Sequence, residues 1–169
     1  MSDSLLVMSH GLDSSPLARK IQWLKPLAEA VGWQVLAPDY GDDDPAARID
    51  QLVAAVQEAK PKRCVLSGSS MGGVVSVLAS QRLSISGLFL MVPAVHWPGY
   101  ETLDYSVEVP VIEVVHAWHD DVVPLERVQR WAEAHQAPLH ILNDGHRLEN
   151  SRANLELLFG HFLERLKKS

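Results

Sequence analysis

Short apolar runs alternate along this chain with segments in which apolar residues recur every three or four positions. Each run has the length of one strand and is rich in Leu, Val or Ile; the six runs cover residues 5–9, 33–38, 63–67, 87–92, 111–116 and 139–142. Strands with few polar residues that are separated by helices are typical of a parallel sheet covered on both faces. The pattern therefore predicts an α/β fold, a three-layer sandwich around a doubly wound, mainly parallel six-stranded sheet.

Helical periodicity fills the intervals between these runs. After Asp44 and Pro45, apolar residues follow the i, i+3, i+4, i+7 spacing of one helix face, and Asp before Pro is a favourable helix start. Residues 93–109 lack a helix pattern, and a loop of that length is more often functional than accidental. Further helices are expected from Pro16 with Ser15 as its cap, from residue 70 to about residue 81, from near Pro124, and after a cap at Asn150 or Ser151.

The composition is that of an ordinary folded protein, with 169 residues of which 47% are hydrophobic and 21% charged, and it predicts one domain over residues 1–169. Acidic and basic residues are mixed and the formal net charge is −6, which argues against nucleic acid as a partner. No apolar stretch approaches the roughly 20 residues of a membrane span. Residues 1–4 lack the basic start and the cleavage site of a signal peptide, so a cytoplasmic location is expected.

The sequence Gly68-Ser69-Ser70-Met71-Gly72 separates the third strand from the helix that follows it. This is a Gly-x-Ser-x-Gly motif between a strand and a helix, where a sharp turn projects the serine hydroxyl out of the fold. The helix start directs free N–H groups and its positive dipole end toward a developing oxyanion. Ser70 is therefore predicted to be a nucleophile; the alternative is a helix N-cap in a structural glycine-rich turn. No Gly-Lys-Ser/Thr follows, which excludes a Walker-type phosphate loop.

Candidates for a base and for an acid that orients it follow the last two strands. Asp120 and Asp121 come after the fifth strand and His146 comes after the sixth. The carboxyl ends of parallel strands share one edge of the sheet, so these side chains are expected on the edge that carries Ser70. Asp121 competes with Asp120, although it also suits a helix start, where an acid complements the dipole. The alternative for His146 is an ordinary surface-loop histidine.

The order Ser, Asp, His along the chain is that of the α/β-hydrolase superfamily, which the sequence resembles over nearly its whole length. Family members commonly have Gly-x-x-Asp-x-x-Val-Pro at the acid; here Ala117 replaces the glycine, while Asp120 and the Val-Pro pair are in register. Gly145-His146 looks like the Gly-His commonly found at the family's catalytic histidine. The resemblance thus implies a triad of Ser70, Asp120 and His146.

His10-Gly11 after the first strand is similar to the family's His-Gly oxyanion loop. By this resemblance, the backbone N–H groups of Leu12 and Met71 are the two oxyanion donors. The family's two leading strands and its lid have no counterpart here, which implies an α/β-hydrolase fold in a trimmed, lid-less form. The implied chemistry is acyl transfer by Ser70 with a histidine base, and it requires no metal and no organic cofactor.

Two further pairs of side chains near the same edge have alternative interpretations. Trp97 and Trp118 are expected in loops there and are candidate pocket residues; the alternative is that they only cover the rim of the core. His116 and His119 suggest a metal pair, but no third ligand is evident, so structural roles are expected and no metal site is predicted.

The sequence thus favours a small serine esterase that cleaves carboxylic ester or thioester bonds of small soluble substrates through an acyl-enzyme on Ser70. The lack of a lid that could form a deep lipid pocket favours short substrates. An amidase or peptidase would use the same residues, because the choice of leaving group depends on pocket shape. The alternative is a non-catalytic binding protein on a hydrolase scaffold, which would work through loop 93–109 and exposed tryptophans. The presence of a nucleophile, a base, an acid and an oxyanion loop argues against it.

Overall fold

The computed structural model describes residues 3–169 and contains one six-stranded sheet in which every neighbouring pair is parallel. Met1 and Ser2, part of the N-terminal segment considered above, lie outside the described residues. The strand order is β2-β1-β3-β4-β5-β6. The strands are β1 (Ser4–Ser9), β2 (Gln34–Leu36), β3 (Arg63–Ser69), β4 (Gly87–Met91), β5 (Val111–His119) and β6 (Leu139–Gly145).

Helices cover both faces of the sheet, which confirms the predicted three-layer architecture. They are α1 (Arg19–Ala30), α2 (Pro45–Ala59), α3 (Met71–Ser80), α4 (Leu125–Ala134) and α5 (Arg152–Leu166). Helices α1 and α5 bury Leu24 and Phe159 in the core on one face, and α2, α3 and α4 bury Leu52, Val74 and Trp131 on the other. Among the helices of residues 3–169, none combines the length and the apolar character that a bilayer crossing requires.

The strand order reverses direction between β1 and β3. From β1 the chain moves outward to β2, and it then returns past β1 to β3 and continues to the opposite edge of the sheet. In parallel α/β sheets, ligands bind outside the carboxyl ends of the strands at such a reversal. The segments after β1 and β3 are therefore the favoured place for a site.

Several element boundaries differ from those predicted. Helix α1 begins at Arg19 and not at Pro16, because Ser15 caps only a short turn and Ala18 is extended, with φ −53° and ψ 142°. Strands β5 and β6 run three residues further than predicted, since pairing resumes between His119 and Gly145 after an irregularity in the ladder. The prediction for α2 is confirmed: the Asp44 side chain accepts a hydrogen bond from the Ala47 N–H and Pro45 is the first helical residue. As expected, residues 93–109 form neither a helix nor a strand.

Candidate active site

Ser70 occupies a strained turn between β3 and α3. Its φ is +56° and its ψ −117°, a conformation that non-glycine residues rarely adopt. Two hydrogen bonds hold it there: the Ser70 N–H donates to the Met91 carbonyl oxygen at 3.0 Å, and the Ala94 N–H donates to the Ser70 carbonyl oxygen at 3.1 Å. The end of β4 and the segment after it therefore fix the backbone from which the Ser70 hydroxyl projects.

The two glycines of the motif allow backbone segments to approach each other closely. A Cβ atom on Gly68 would lie 2.0 Å from the Gly72 carbonyl oxygen, and one on Gly72 would lie 2.0 Å from the Ser9 carbonyl oxygen. Both contacts are with backbone atoms, which cannot move aside as a flexible side chain can. Glycine at these positions brings the start of α3 against the end of β1.

A continuous chain of hydrogen bonds joins Ser70, His146 and Asp120. The Ser70 Oγ lies 3.0 Å from the His146 Nε2, and the His146 Nδ1 lies 2.8 Å from the Asp120 Oδ2. Because the carboxylate accepts a hydrogen bond, the Nδ1 carries the proton and the Nε2 is left to accept one from the serine hydroxyl. The structure thus brings together, from the ends of β3, β5 and β6, the three side chains that the sequence singled out.

Asp120 is fixed by its own loop as well as by the histidine. Its Oδ1 accepts hydrogen bonds from the N–H groups of Val122 and Val123 at 2.9 and 2.7 Å, and its side chain is 1% exposed. Burial raises the pKa of Asp120, but the hydrogen bonds from His146 and from the two N–H groups outweigh burial and hold the pKa below its ordinary value. Asp121 is exposed, and none of the contacts found within residues 3–169 joins it to His146.

Asp144 organises the loop that carries His146. Its carboxylate accepts hydrogen bonds from the Gly145 N–H at 2.8 Å, the Asn150 N–H at 2.9 Å and the Ser151 hydroxyl at 2.7 Å. Burial raises the pKa of Asp144, but these hydrogen bonds lower it by more than burial raises it. The pKa is therefore below its ordinary value. Sequence reasoning missed this residue; an aspartate directly before Gly-His was the available signal.

The loop after β1 is held by a buried histidine and a buried arginine. The Nδ1 of His10 donates to the Gly11 carbonyl oxygen at 2.8 Å, while its Nε2 accepts from the Tyr40 N–H at 3.1 Å. Arg48 of α2 is 0% exposed, and it donates to the carbonyl oxygens of His10, Gly11, Gly41 and Asp43 at 2.8 to 3.3 Å. Sequence reasoning missed Arg48, although an arginine four residues before Leu52 on the buried stripe of α2 was a detectable signal.

These contacts fix the orientation of the peptide between Gly11 and Leu12. No peptide in residues 3–169 is cis, so the Gly11 carbonyl and the Leu12 N–H point in opposite directions. The carbonyl is directed to His10 and Arg48, which leaves the Leu12 N–H on the opposite side. No protein acceptor for the N–H of Leu12 or of Met71 is found among the described residues.

A cavity of about 560 Å³ opens at this edge, and Ser70, His146, Leu12 and Met71 all line it. Trp97 also lines it. Trp118 lies in β5 and not in a loop as predicted; it is outside the lining and is 60% exposed. Of the two tryptophans that were candidate pocket residues, Trp97 borders the cavity and Trp118 does not.

His116 and His119 do not form a pair. His116 is 0% exposed; its Nε2 donates to the Val123 carbonyl oxygen at 3.0 Å, and burial lowers its pKa. His119 is exposed and hydrogen-bonds through its Nε2 to the Asn143 side chain at 3.0 Å. The two side chains therefore have different surroundings, one buried and one exposed. Within residues 3–169, no group of three or more His, Cys, Asp or Glu side chains could hold a metal ion.

Comparison with known proteins supports the fold described above and assignment of the chain to the hydrolases. The profile of the uncharacterised protein family UPF0227 matches residues 5–144. A crystal structure from Xanthomonas campestris pv. campestris, assigned to the alpha/beta superfamily of hydrolases, is 31% identical, with a TM-score of 0.87 over 98% of this chain and 99% of that one. The chain belongs to UPF0227, within the α/β-hydrolase superfamily. Comparison with curated proteins gave no match.

More distant α/β-hydrolase structures share the fold of this UPF0227 member. Est1E from Butyrivibrio proteoclasticus is 18% identical, with a TM-score of 0.86 over 98% of this chain and 89% of that one. A serine hydrolase without a lid from Xanthomonas campestris is 19% identical, with a TM-score of 0.79 over 98% of this chain and 83% of that one. The expected lid-less α/β-hydrolase fold is confirmed.

Proposed function

We propose that this chain is a serine hydrolase that cleaves carboxylic ester or thioester bonds of small molecules through an acyl-enzyme on Ser70. The observation that carries the proposal is the pair of hydrogen bonds that joins Ser70 to His146 and His146 to Asp120. Ser70 and His146 both line the cavity. The cavity volume of about 560 Å³ is that of a small-molecule site. The structural neighbour that is a serine hydrolase without a lid supports the same type of nucleophile.

The first half of the reaction forms the acyl-enzyme. The Ser70 Oγ attacks the carbonyl carbon as the His146 Nε2 takes its proton, and Asp120 stabilises the resulting imidazolium without becoming protonated. The carbonyl oxygen becomes an oxyanion that accepts hydrogen bonds from the N–H groups of Leu12 and Met71, each worth about 3 kcal/mol. His146 then gives its proton to the leaving oxygen or sulfur as the bond to the carbonyl carbon breaks.

In the second half of the reaction, water hydrolyses the acyl-enzyme with the help of the same groups. His146 takes a proton from the water as its oxygen attacks the acyl carbon, and the two N–H groups again bind the oxyanion. The imidazolium then returns a proton to the Ser70 Oγ, which leaves as a hydroxyl. The acid is released and the free enzyme is regenerated.

Labelling with a fluorophosphonate probe tests the proposal and separates it from a non-catalytic binding protein. The wild type should take one label, Ser70→Ala should take none, and the neighbouring Ser69→Ala should label as the wild type does. A wild type that takes no label, or equal labelling of Ser70→Ala, would support the binding protein instead.

A panel of 4-nitrophenyl esters of rising acyl length tests the preference for small substrates. Acetate and butyrate esters should be cleaved with a higher kcat/KM than dodecanoate or palmitate esters. A kcat/KM that peaks at the long chains would contradict this part of the proposal, and cleavage of the matching anilides at the same rate would indicate an amidase.

A further inference from the structure

One wall of the cavity carries an excess of positive charge. Arg19 and Lys20 line it from the start of α1, and Arg147 lines it from the position directly after His146. Apart from the histidines, the only other ionisable side chain that lines the cavity within residues 3–169 is Asp13. This excess is unexpected in a chain whose formal net charge is −6, because the protein as a whole repels anions.

These cations are only weakly neutralised by the protein. The Lys20 Nζ donates to the Arg147 carbonyl oxygen at 2.9 Å, which supplies no compensating charge. Arg19 lies 3.6 Å from the Glu149 carboxylate, but both side chains are at least half exposed, so this pair contributes little. No ion pair or hydrogen bond of the Arg147 guanidinium is found in the described part of the chain.

Burial, and to a smaller extent the neighbouring cations, disfavours the charged form of Lys20. Burial lowers the pKa of Lys20 to about 8, and repulsion by Arg19 and Arg147 acts in the same direction against the attraction of Asp144 and Asp120. The ammonium is still mostly protonated at pH 7. An anion bound beside it would relieve this repulsion.

The positive wall and the proposed reaction centre line the same cavity. Lys20 bonds the carbonyl of the residue that follows His146, and the His146 Nε2 is 3.0 Å from the Ser70 Oγ. The lining also contains apolar side chains, among them Met8, Ile21 and Leu24. The cavity therefore offers cationic groups for an anionic part of a small molecule and apolar groups for the rest of it.

We infer that the preferred substrates are esters that carry a carboxylate or phosphate group, and that Lys20 and Arg147 bind this anionic group beside the ester carbonyl. The inference rests on the proposed function and narrows its substrate class. Both cations are partly or largely exposed, so their effect is that of a screened charge pair and should weaken as salt increases.

Pairs of nearly isosteric esters that differ only in charge test this inference. 4-Acetoxybenzoate and 4-acetoxybenzamide place the charge on the leaving group, while monophenyl succinate and phenyl succinamate place it on the acyl group. In at least one pair the anionic member should have a kcat/KM about tenfold higher than the neutral member at low salt. This ratio of anionic to neutral kcat/KM should fall in 0.5 M NaCl, because the Debye length is then roughly 4 Å and the charges are screened. 4-Acetoxyphenyl phosphate compared with 4-acetoxybenzoate shows which anion is preferred.

Charge-removing variants assign the preference to the two residues. In the double variant Lys20→Gln/Arg147→Gln the ratio of anionic to neutral kcat/KM should fall to about one. The double variant Lys62→Gln/Arg82→Gln loses the same charge at surface ion pairs with Asp3 and Asp50, and it should keep the wild-type ratio. Equal kcat/KM for both members of every pair, or an unchanged ratio in Lys20→Gln/Arg147→Gln, overturns the inference while leaving the serine hydrolase intact.

A binding measurement keeps the two proposals distinguishable. If no ester is cleaved and no fluorophosphonate label is taken, the hydrolase proposal fails, and binding of 4-acetoxybenzoate and 4-acetoxybenzamide to Ser70→Ala is compared by ligand-observed NMR. Tighter binding of the benzoate, lost on adding Lys20→Gln and Arg147→Gln, supports the anion site. Equal binding of the two compounds overturns it.

Discussion

The Arg48 guanidinium lies 3.3 Å from the Gly11 carbonyl oxygen, on the peptide that also carries the Leu12 N–H. The His10 Nδ1 donates to the same oxygen at 2.8 Å. Because the peptide is planar and trans, holding its carbonyl in the interior turns its N–H the other way. Arg48 thus orients a proposed oxyanion donor without lining the cavity itself.

Replacing Arg48 with lysine should lower kcat more than it raises KM. An ammonium cannot reproduce the fork of hydrogen bonds, so the Gly11–Leu12 peptide loses its fixed orientation. An oxyanion forms only on the way to the transition state, and we expect kcat on 4-nitrophenyl acetate to fall about 10- to 100-fold with KM changed less than about threefold.

The matched control for that variant is Arg63→Lys. Arg63 also donates to a backbone carbonyl, that of Leu166, at 2.6 Å, but at the end of the sheet away from Ser70. It should keep the wild-type kcat. A purely structural role for Arg48 would instead leave kcat per folded molecule unchanged in Arg48→Lys.

Asp120→Asn should lower kcat/KM by about 10⁴-fold, because an amide cannot hold the histidine in the required tautomer. Asp121→Asn should stay within about threefold of the wild type, since Asp121 is exposed and does not contact His146. Steady-state hydrolysis of a small ester checks both variants. Equal losses in the two would show that the acid is misassigned.

Asp144→Asn should destabilise the protein at neutral pH and much less in acid. The pKa of Asp144 is lowered in the folded state, so the stability it contributes is present above its unfolded value of about 3.9 and is lost as the pH falls through the lower folded value. We expect the free energy of unfolding in urea to fall by about 1 to 3 kcal/mol at pH 7, with a smaller difference at pH 3.

Glu58→Gln serves as the control for that pH dependence, because Glu58 is an exposed acid on α2. Its stability should follow that of the wild type at both pH values. A deficit in Asp144→Asn that is constant between pH 3 and pH 7 would contradict the assigned role of the Asp144 carboxylate.

Two glycine-to-alanine variants should change stability in opposite directions. Gly72→Ala places a Cβ 2.0 Å from the Ser9 carbonyl oxygen and should cost about 3 kcal/mol or more. Gly160 lies within α5, and beyond the backbone of that helix no atom lies within 4 Å of an added Cβ, so Gly160→Ala should raise stability by about 0.5 to 1 kcal/mol. Urea unfolding followed by circular dichroism measures both, and a Gly72→Ala protein as stable as the wild type would refute the close packing.

The parts of the fold that the sequence predicts depend on local signals. Asp44 before Pro45 starts α2 as expected, because a side-chain cap and a fixed φ act within one turn. The start of α1 was wrong by three residues, since the extended backbone of Ala18 interrupts a helix that Ser15 and Pro16 favour. The final residues of β5 and β6 were missed because they pair with each other, which no single segment encodes.

The parts of the site that the sequence misses depend on long-range contacts. Ser70 and His146 stand in short motifs, whereas the acceptors of Arg48 lie before and after β2, up to 38 residues away. Lys20 meets Arg147 across 127 residues. Trp118 resembles Trp97 in the pattern, and only the fold shows which of them borders the cavity.

Peptide mapping by mass spectrometry after a rapid acid quench, during hydrolysis of 4-nitrophenyl acetate, tests the central claim most directly. Attack by the Ser70 hydroxyl predicts one acetyl group on the peptide that contains Ser70, formed and lost at rates that account for turnover and absent from Ser70→Ala. Hydrolysis that persists in Ser70→Ala, or an acetyl group found instead on another side chain such as His146, would contradict it.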